Sequence, residues 1–169
     1  MSASSTSPSR PEYVLRLAKE DFKFSAAHFT LFGADEAELL HGHNYHVEVE
    51  MVGHELDEEG LLVSFVDAKK AIRAACARLD DQTLIPTRSR HLRITRADGE
   101  VEVRFGARRY VLPEEDTLLL AEVNTTVELF ARMIWEDIVR DLDCRALVAL
   151  AVSVAETAGQ ACWYRAPIR

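Results

Sequence analysis

The pattern of apolar and polar positions predicts strands at both ends of the chain. Residues 43–52 alternate strictly, and the apolar positions of that alternation are Tyr45, Val47, Val49 and Met51. A period of two residues is typical of a half-buried antiparallel strand, because successive side chains point to opposite faces of the sheet. Apolar and aromatic runs predict three further strands, at residues 13–29, 146–156 and 160–165.

Two amphipathic helices are predicted between these strands. Apolar residues recur at helical spacing in residues 64–79 and 125–142. Each segment opens with a hydroxyl residue that is followed three positions later by an acidic residue, as in a capping box. The two pairs are Ser64 with Asp67 and Thr125 with Glu128.

The segment between the helices, residues 86–121, has the pattern of a β insertion. An Asp-Gly dipeptide favours the tight turn of a hairpin. Asp98-Gly99 therefore joins two predicted strands, at residues 91–95 and 100–105, and residues 110–112 are a candidate third strand.

The order of elements predicts an α+β fold, with an antiparallel four-stranded sheet, two helices on one face and the inserted hairpin. We expect a single domain over residues 13–169, preceded by a disordered Ser- and Pro-rich tail over residues 1–12. No apolar run has the length of a membrane span or the pattern of a signal peptide, so no membrane partner is expected.

Charge and cysteine usage narrow the function classes. The formal net charge of −8 makes a nucleic acid partner a poor expectation, because phosphate binding needs a basic face. The three cysteines lack the C-x-x-C spacing of zinc and redox motifs, and a reducing cytoplasm is the expected compartment. They are Cys76, Cys144 and Cys162.

Three histidines carry the strongest chemical signal. His41 and His43 lie two positions apart at the start of a predicted strand, so both imidazoles point the same way. His28 ends the preceding predicted strand, which would pair with this one. A histidine pair alone would favour ordinary polar residues at a strand end, but the third histidine favours a metal. Three imidazoles leave the fourth tetrahedral position open, as in catalytic zinc sites.

Two glutamates are candidates for work beside such a metal. Glu38 lies three positions before His41, where its carboxylate could act as a general base, or could equally be a solvated loop residue. Glu156 follows the apolar run 149–155, and a carboxylate there needs partners. A guanine-like or pterin-like N–H/NH₂ edge would supply them, as would solvent or a salt bridge.

These residues fall within a longer set of motifs. Phe24 with Ala26-Ala27-His28, followed by the sequence H-G-H-N-Y at residues 41–45, resembles the 6-pyruvoyl-tetrahydropterin synthase / 6-carboxy-tetrahydropterin synthase family. The resemblance covers about residues 13–85 and 122–167. Its further motifs lie at residues 60–69, 79–80, 126–128, 155–157 and 162–165.

The resemblance implies a T-fold, in which the sheets of three subunits join into a barrel and two trimers stack as a hexamer with active sites between subunits. It also implies Zn²⁺ bound by His28, His41 and His43. A reduced pterin ring would be held by Glu156 with Thr126 and Thr157. The implied substrate is 7,8-dihydroneopterin triphosphate or a relative, whose side chain is rearranged and partly lost.

Two departures from the family pattern affect the expected reaction. Ala37 stands where the family uses a proton-moving cysteine, and Asp80-Asp81 stands where it uses an aspartate–histidine pair. One branch of the family instead carries E-x-x-H-G-H, which residues 38–43 resemble. Members of that branch are linked to cleavage of the dihydroneopterin side chain to 6-hydroxymethyl-7,8-dihydropterin.

Three hypotheses follow. The first, which we favour, is a zinc-dependent lyase on a dihydroneopterin-type substrate, with Glu38 as base and Asp80 assisting. The second is a 6-pyruvoyl or 6-carboxy pterin synthase proper, with the proton carried by Asp81, His46 or another subunit. The third is a pterin-binding paralogue without catalysis. In each case the partners are a small reduced pterin and further copies of the chain.

Overall fold

The computed structural model describes residues 10–168, so most of the predicted tail, residues 1–9, lies outside the described residues. The described chain forms ten strands and two helices. The strands are β1 (Tyr13–Leu17), β2 (Lys23–His28), β3 (His41–Gly53), β4 (Gln82–Pro86), β5 (Arg93–Ala97), β6 (Glu100–Phe105), β7 (Arg108–Pro113), β8 (Thr117–Leu120), β9 (Ala149–Thr157) and β10 (Gln160–Pro167). The helices are α1 (Phe65–Ala77) and α2 (Val127–Asp141).

The larger sheet has seven strands in the order β10-β9-β3-β2-β4-β8, with β1 paired to β3 off this path. The four predicted antiparallel strands form one side of this sheet, because β10, β9, β3 and β2 pair antiparallel in turn. The sheet is larger than the predicted four strands. β4 and β8 extend it by parallel pairing beside β2. Both are short, and no alternating pattern marked them in the sequence.

The predicted single strand at residues 13–29 is wrong in one respect, since it is two strands. β1 pairs with the far end of β3, where Tyr13 lies opposite Gly53, and β2 pairs with the near end, where Lys23 lies opposite His46. A polar turn separates them, closed by a 3.0 Å hydrogen bond from the Phe22 amide to the Lys19 carbonyl.

The apolar side of β3 faces the main core, as the alternating pattern predicted. Tyr45, Val47, Val49 and Met51 are at most 1% exposed. Both helices contribute to the same core. The rings of Phe24 and Tyr45 stack at 4.6 Å, and Phe130 of α2 meets both edge-on. Each fully buried side chain of this size contributes about 1.5–3 kcal/mol to folding.

Of the two predicted helix N-caps, one is confirmed and the other is wrong. Ser64 caps α1 as predicted, since its hydroxyl accepts a 3.3 Å hydrogen bond from the Asp67 amide. The predicted cap at Thr125 is wrong, because α2 is capped by Thr126, whose side chain makes no capping hydrogen bond. Thr125 is instead fully buried, and its hydroxyl donates to the Phe29 carbonyl at 2.9 Å.

The insertion is a three-stranded antiparallel sheet in the order β5-β6-β7. Asp98 and Gly99 form its first turn with φ values of 54° and 79°, as an Asp-Gly hairpin requires. Its buried side chains, Val101, Val103 and Phe105, join a second core with Phe29 and Leu31. The insertion therefore packs against the segment between β2 and β3. Neither described helix is long and apolar enough to span a membrane.

Candidate metal and pterin site

Strand pairing brings the three histidines together. In the register of β2 and β3, His28 lies opposite His41, and Ala26 lies opposite His43. The ring centroids are 4.8 Å apart for His28 and His41, 5.5 Å for His28 and His43, and 4.7 Å for His41 and His43. One nitrogen from each ring, together with a carboxylate oxygen of Glu156, lies within 4.8 Å of the others. This group could hold a metal ion.

Backbone carbonyls orient two of the imidazoles. Nδ1 of His28 lies 2.9 Å from the Thr125 carbonyl, and Nδ1 of His41 lies 2.7 Å from the Leu39 carbonyl. A carbonyl only accepts, so each Nδ1 carries a proton, and in the neutral ring the Nε2 atom then presents a lone pair. This is the arrangement in which histidines bind metals, with the outer hydrogen bond fixing the tautomer.

The His28 ring is held in the neutral form that a metal ligand needs. Its side chain is buried, with 2% of its surface exposed. Burial lowers the pKa of His28 most, and His41 and His43 lower it further; the Thr125 carbonyl and Glu156 oppose this only in part. Burial disfavours the charged imidazolium because the interior solvates charge poorly.

Glu156, near the end of β9, reaches the same group. Its Oε1 lies 3.1 Å from Nε2 of His43 and 3.3 Å from Nε2 of His28. Bonds of 2.0–2.1 Å in a tetrahedral zinc site separate ligand atoms by roughly 3.3 Å. Oε1 of Glu156 is therefore separated from these two nitrogens by the spacing of two ligands of one ion, so the Glu156 carboxylate could be a fourth ligand.

Tyr45, which the sequence pattern assigned only to the core, is also a member of the site. It is fully buried, and its hydroxyl lies 2.9 Å from Nε2 of His28 and 3.3 Å from Oε1 of Glu156. Burial raises the pKa of Tyr45 far above its ordinary value, and the carboxylates of Glu156 and Glu38 raise it further, so the phenol stays protonated. Its place two residues after His43 on one strand face was the available signal.

Glu38 lies in the segment between β2 and β3 and is partly buried. Its Oε2 accepts a 2.8 Å hydrogen bond from the Thr30 amide, and its own amide donates to the Thr30 carbonyl at 2.9 Å. Burial alone would raise the pKa of Glu38, but the hydrogen bonds from Thr30 and the nearby His41 and His28 together lower it below its ordinary value. Glu38 is thus an ionised carboxylate at neutral pH.

The two aspartates lie along the other edge of β2. Oδ1 of Asp80 accepts from the Ser25 amide at 2.7 Å, and the Asp81 amide donates to the Ser25 carbonyl at 2.7 Å. Asp81 has a φ of 56°, in the left-handed region. Neither residue belongs to the group formed by the three histidines and Glu156 within the described chain.

The other predicted residues occupy element ends and the far sheet face. Thr126 caps α2, and the Thr157 hydroxyl donates to Oε1 of Gln160 at 2.8 Å in the turn between β9 and β10. His46 is exposed and alternates with the core-facing positions of β3, as predicted.

Comparison with known proteins decides the family. The sequence matches the family model described as 6-pyruvoyl tetrahydropterin synthase over residues 16–167. The chain belongs to this family. It is thereby placed among the pterin synthase lyases.

A curated relative from Methanocaldococcus jannaschii, provisionally named a 6-carboxy-5,6,7,8-tetrahydropterin synthase, is 29% identical over 147 residues, covering 85% of this chain and 89% of the relative. A second, from Archaeoglobus fulgidus and with the same provisional name, is 38% identical over 69 residues, covering 38% of this chain and 58% of the relative.

Solved structures share the T-fold. A Plasmodium vivax 6-pyruvoyltetrahydropterin synthase, in a form with a catalytic glutamate replaced by alanine, superposes with a TM-score of 0.88 at 23% identity, covering 94% of this chain and 99% of that one. The Caenorhabditis elegans 6-pyruvoyl tetrahydropterin synthase gives a TM-score of 0.58 at 16% identity, covering 93% and 97%.

Proposed function

We propose that the chain is a zinc-dependent lyase that cleaves the side chain of 7,8-dihydroneopterin, or of its triphosphate, and releases 6-hydroxymethyl-7,8-dihydropterin. One observation carries this proposal. Where the usual cysteine of the family is replaced by Ala37, the next residue, Glu38, is a partly buried carboxylate kept ionised near His41 and His28. The Plasmodium vivax relative, whose catalytic residue is described as a glutamate, supports the assignment.

The donor set of the site fits zinc. His28, His41 and His43 would hold the ion, with two Nδ1 protons already committed to backbone carbonyls. Three imidazoles leave the fourth tetrahedral position to Glu156 or to a substrate oxygen, and a position that the substrate can take is typical of a catalytic zinc site. When bound, zinc would supply a Lewis acid that polarises an oxygen of the substrate.

The protein's own residues then move the proton. Glu38 would accept the proton of the hydroxyl on the second side-chain carbon. The bond between the first and second carbons breaks, its electron pair passes into the reduced pterin ring, and a hydroxyaldehyde leaves. A proton then returns to the first carbon and completes the hydroxymethyl product. Asp80, whose Oδ1 accepts from the Ser25 amide of β2, would assist this transfer.

Glu156, Thr126 and Thr157 would bind the pterin. The Glu156 carboxylate offers two acceptor oxygens to the N–H/NH₂ edge of the ring. The Tyr45 phenol, 3.3 Å from Oε1 of Glu156, would hold that carboxylate in place.

We expect the active form to be a homotrimer or homohexamer in the cytoplasm. Strands β8 and β10 stand at the two edges of the larger sheet and offer unpaired backbone groups. Edge-to-edge pairing between copies would satisfy those groups and would bring further subunits beside each histidine group.

An anaerobic incubation tests the proposal. Zinc-loaded protein is mixed with 7,8-dihydroneopterin and, separately, with its triphosphate, and the products are identified by mass. We expect the 6-hydroxymethyl compound. A 6-pyruvoyl or 6-carboxy product would instead identify a synthase proper, with Asp81, His46 or another subunit carrying the proton. Pterin binding without any product would identify a non-catalytic paralogue.

A further inference from the structure

The insertion packs against the segment that carries Glu38. This segment, residues 29–40, is here called the base loop. The ring of Phe29 stacks on Tyr110 of β7 at a centroid distance of 5.6 Å. Leu31 is buried in the second core with Val101, Val103 and Phe105 of the insertion, and Ala37 and Leu40 pack at its margin. The insertion and the base loop thus share one apolar core.

One charged side chain of the insertion binds the base loop directly at Glu38. Nη1 of Arg108 donates to the carbonyl of Glu38 at 2.6 Å and to the carbonyl of Ala37 at 3.1 Å. Its guanidinium lies 5.9 Å from the ring centroid of Phe105, within cation–π range. Hydrogen bonds from a charged donor are stronger than neutral ones, and this side chain is partly buried.

The opposite side of the base loop is tied to the metal ligands. The side-chain amide of Asn124 both accepts from the Leu31 amide at 3.0 Å and donates to the Leu31 carbonyl at 2.9 Å. The next residue, Thr125, donates its hydroxyl to the Phe29 carbonyl and accepts from Nδ1 of His28, each at 2.9 Å. The base loop is therefore held on one side by Asn124 and Thr125, the residue that orients His28, and on the other side by the insertion.

The two arginines of β7, Arg108 and Arg109, lie on opposite faces of the strand. Arg108, Tyr110 and Leu112 alternate on the side that faces the base loop, and all three are partly buried. Arg109 points the other way, is exposed, and pairs with Glu102 at 2.6 Å. The Nη1 donor of Arg108 is occupied by two carbonyls of its own chain and is not left free for an anionic substrate.

We infer that Arg108 is a positioning residue for Glu38: through the carbonyls of Ala37 and Glu38 it fixes the base loop, and the insertion serves as the platform that holds Arg108 there. The inference rests on the proposed function, because it concerns the residue proposed as the base. The physical reason is that a carboxylate on a loop transfers protons efficiently only when its backbone is held within a fraction of an ångström of the productive position.

Three variants test this on the full-length, zinc-loaded protein. Arg108→Ala removes both hydrogen bonds, Arg108→Lys keeps the charge and donors on a different geometry, and Arg109→Ala is the matched control on the same strand. Two quantities are compared: hydrogen–deuterium exchange of peptides covering residues 29–40, and kcat with KM for 7,8-dihydroneopterin. Bound zinc is measured in each preparation.

We expect Arg108→Ala to speed exchange in the base loop about tenfold and to lower kcat about tenfold or more, the factor expected from losing charge-assisted hydrogen bonds. KM and zinc content should stay within about twofold, since no substrate or metal contact is removed. Arg108→Lys should recover part of both losses, and it carries the comparison if the alanine variant does not fold. Arg109→Ala should match the unmodified protein.

Two results would overturn the inference. In one, Arg108→Ala exchanges and turns over like Arg109→Ala. In the other, it raises KM for the triphosphate substrate while exchange in the base loop is unchanged, which would make Arg108 a substrate-anion contact. If the unmodified protein shows no turnover at all, the proposed function fails, and the exchange comparison alone still decides whether Arg108 fixes the loop.

Discussion

The phenol of Tyr45 lies between a histidine and a carboxylate, 2.9 Å from Nε2 of His28 and 3.3 Å from Oε1 of Glu156. The hydroxyl has one proton to donate, and Nδ1 of His28 is already committed to the Thr125 carbonyl. A polar cluster thus borders the apolar core. In it, the buried Tyr45 of β3 contacts both the metal-capable histidines and Glu156, the expected pterin-binding residue.

Tyr45→Phe should weaken zinc binding while the fold is kept. The change removes only the hydroxyl and leaves the ring that stacks on Phe24. The hydroxyl lies 3.3 Å from Oε1 of Glu156, a member of the metal-capable group, so it supports that group through the carboxylate. Losing an outer-shell partner of a metal site lowers metal affinity by about 10–100-fold, and a chelator competition titration would measure it. Tyr110→Phe, in the second core of the insertion, is the control and should bind zinc normally. Equal affinity in both variants would mean that the Tyr45 hydroxyl does not support the site.

Histidine substitutions on opposite faces of β3 should distinguish loss of metal binding from a general effect of mutating this strand. His41→Ala removes one of the three imidazoles, and His46→Ala removes an exposed ring on the other face. We expect His41→Ala to lose stoichiometric zinc in elemental analysis and His46→Ala to keep it. Excess zinc should also raise the melting temperature of His46→Ala alone, since a ligand at 100 times its Kd adds about 2.7 kcal/mol. Zinc retained by His41→Ala would exclude it as a ligand.

The buried threonine before α2 should matter more for stability than the one that caps it. Thr125→Val removes a hydroxyl that donates to the Phe29 carbonyl at 2.9 Å and leaves that carbonyl without this donor. The expected loss is about 1–3 kcal/mol in the free energy of unfolding. Thr126→Val removes a side chain without a capping bond and should change it by less than about 0.5 kcal/mol. Urea unfolding curves compare the two, and the reverse ranking would contradict the account.

The central part of the fold and the histidine group could be predicted because each depends on a short-range pattern. The alternation of β3 determines which of its side chains are buried, and the same period puts His41 and His43 on one side of the strand. The T-fold followed from the family resemblance, and the family match and the solved structures confirm it.

The rest depends on long-range packing that no local pattern encodes. The parallel pairing of β4 and β8 is set by neighbours far away in the sequence, and the strands themselves are only five and four residues long. The contact of Arg108 with Glu38 joins residues 70 positions apart. Its sequence context, two successive arginines in a hairpin, gave no reason to separate Arg108 from Arg109.

The acid side of the pH profile should reflect Glu38. Its pKa lies below the ordinary value of 4.5, because the Thr30 hydrogen bonds and the nearby imidazoles outweigh the opposing effect of burial. A general base works in its ionised form, so kcat should be insensitive to Glu38 at neutral pH and should fall only as the pH drops below that ordinary value. The lowered pKa would be contradicted if kcat of the unmodified protein fell with decreasing pH near neutrality and this fall were absent in Glu38→Gln.

The most direct test of the account is single-turnover cleavage of 7,8-dihydroneopterin by Glu38→Ala, with bound zinc measured in the same preparation. Glu36→Ala, in the same loop and exposed, is the matched control. Removal of a general base costs about 10²–10⁴ in rate, so we predict at least a hundredfold loss of 6-hydroxymethyl product in Glu38→Ala, with zinc retained and with Glu36→Ala unaffected. Turnover by zinc-loaded Glu38→Ala at the rate of the control would show that Glu38 is not the base.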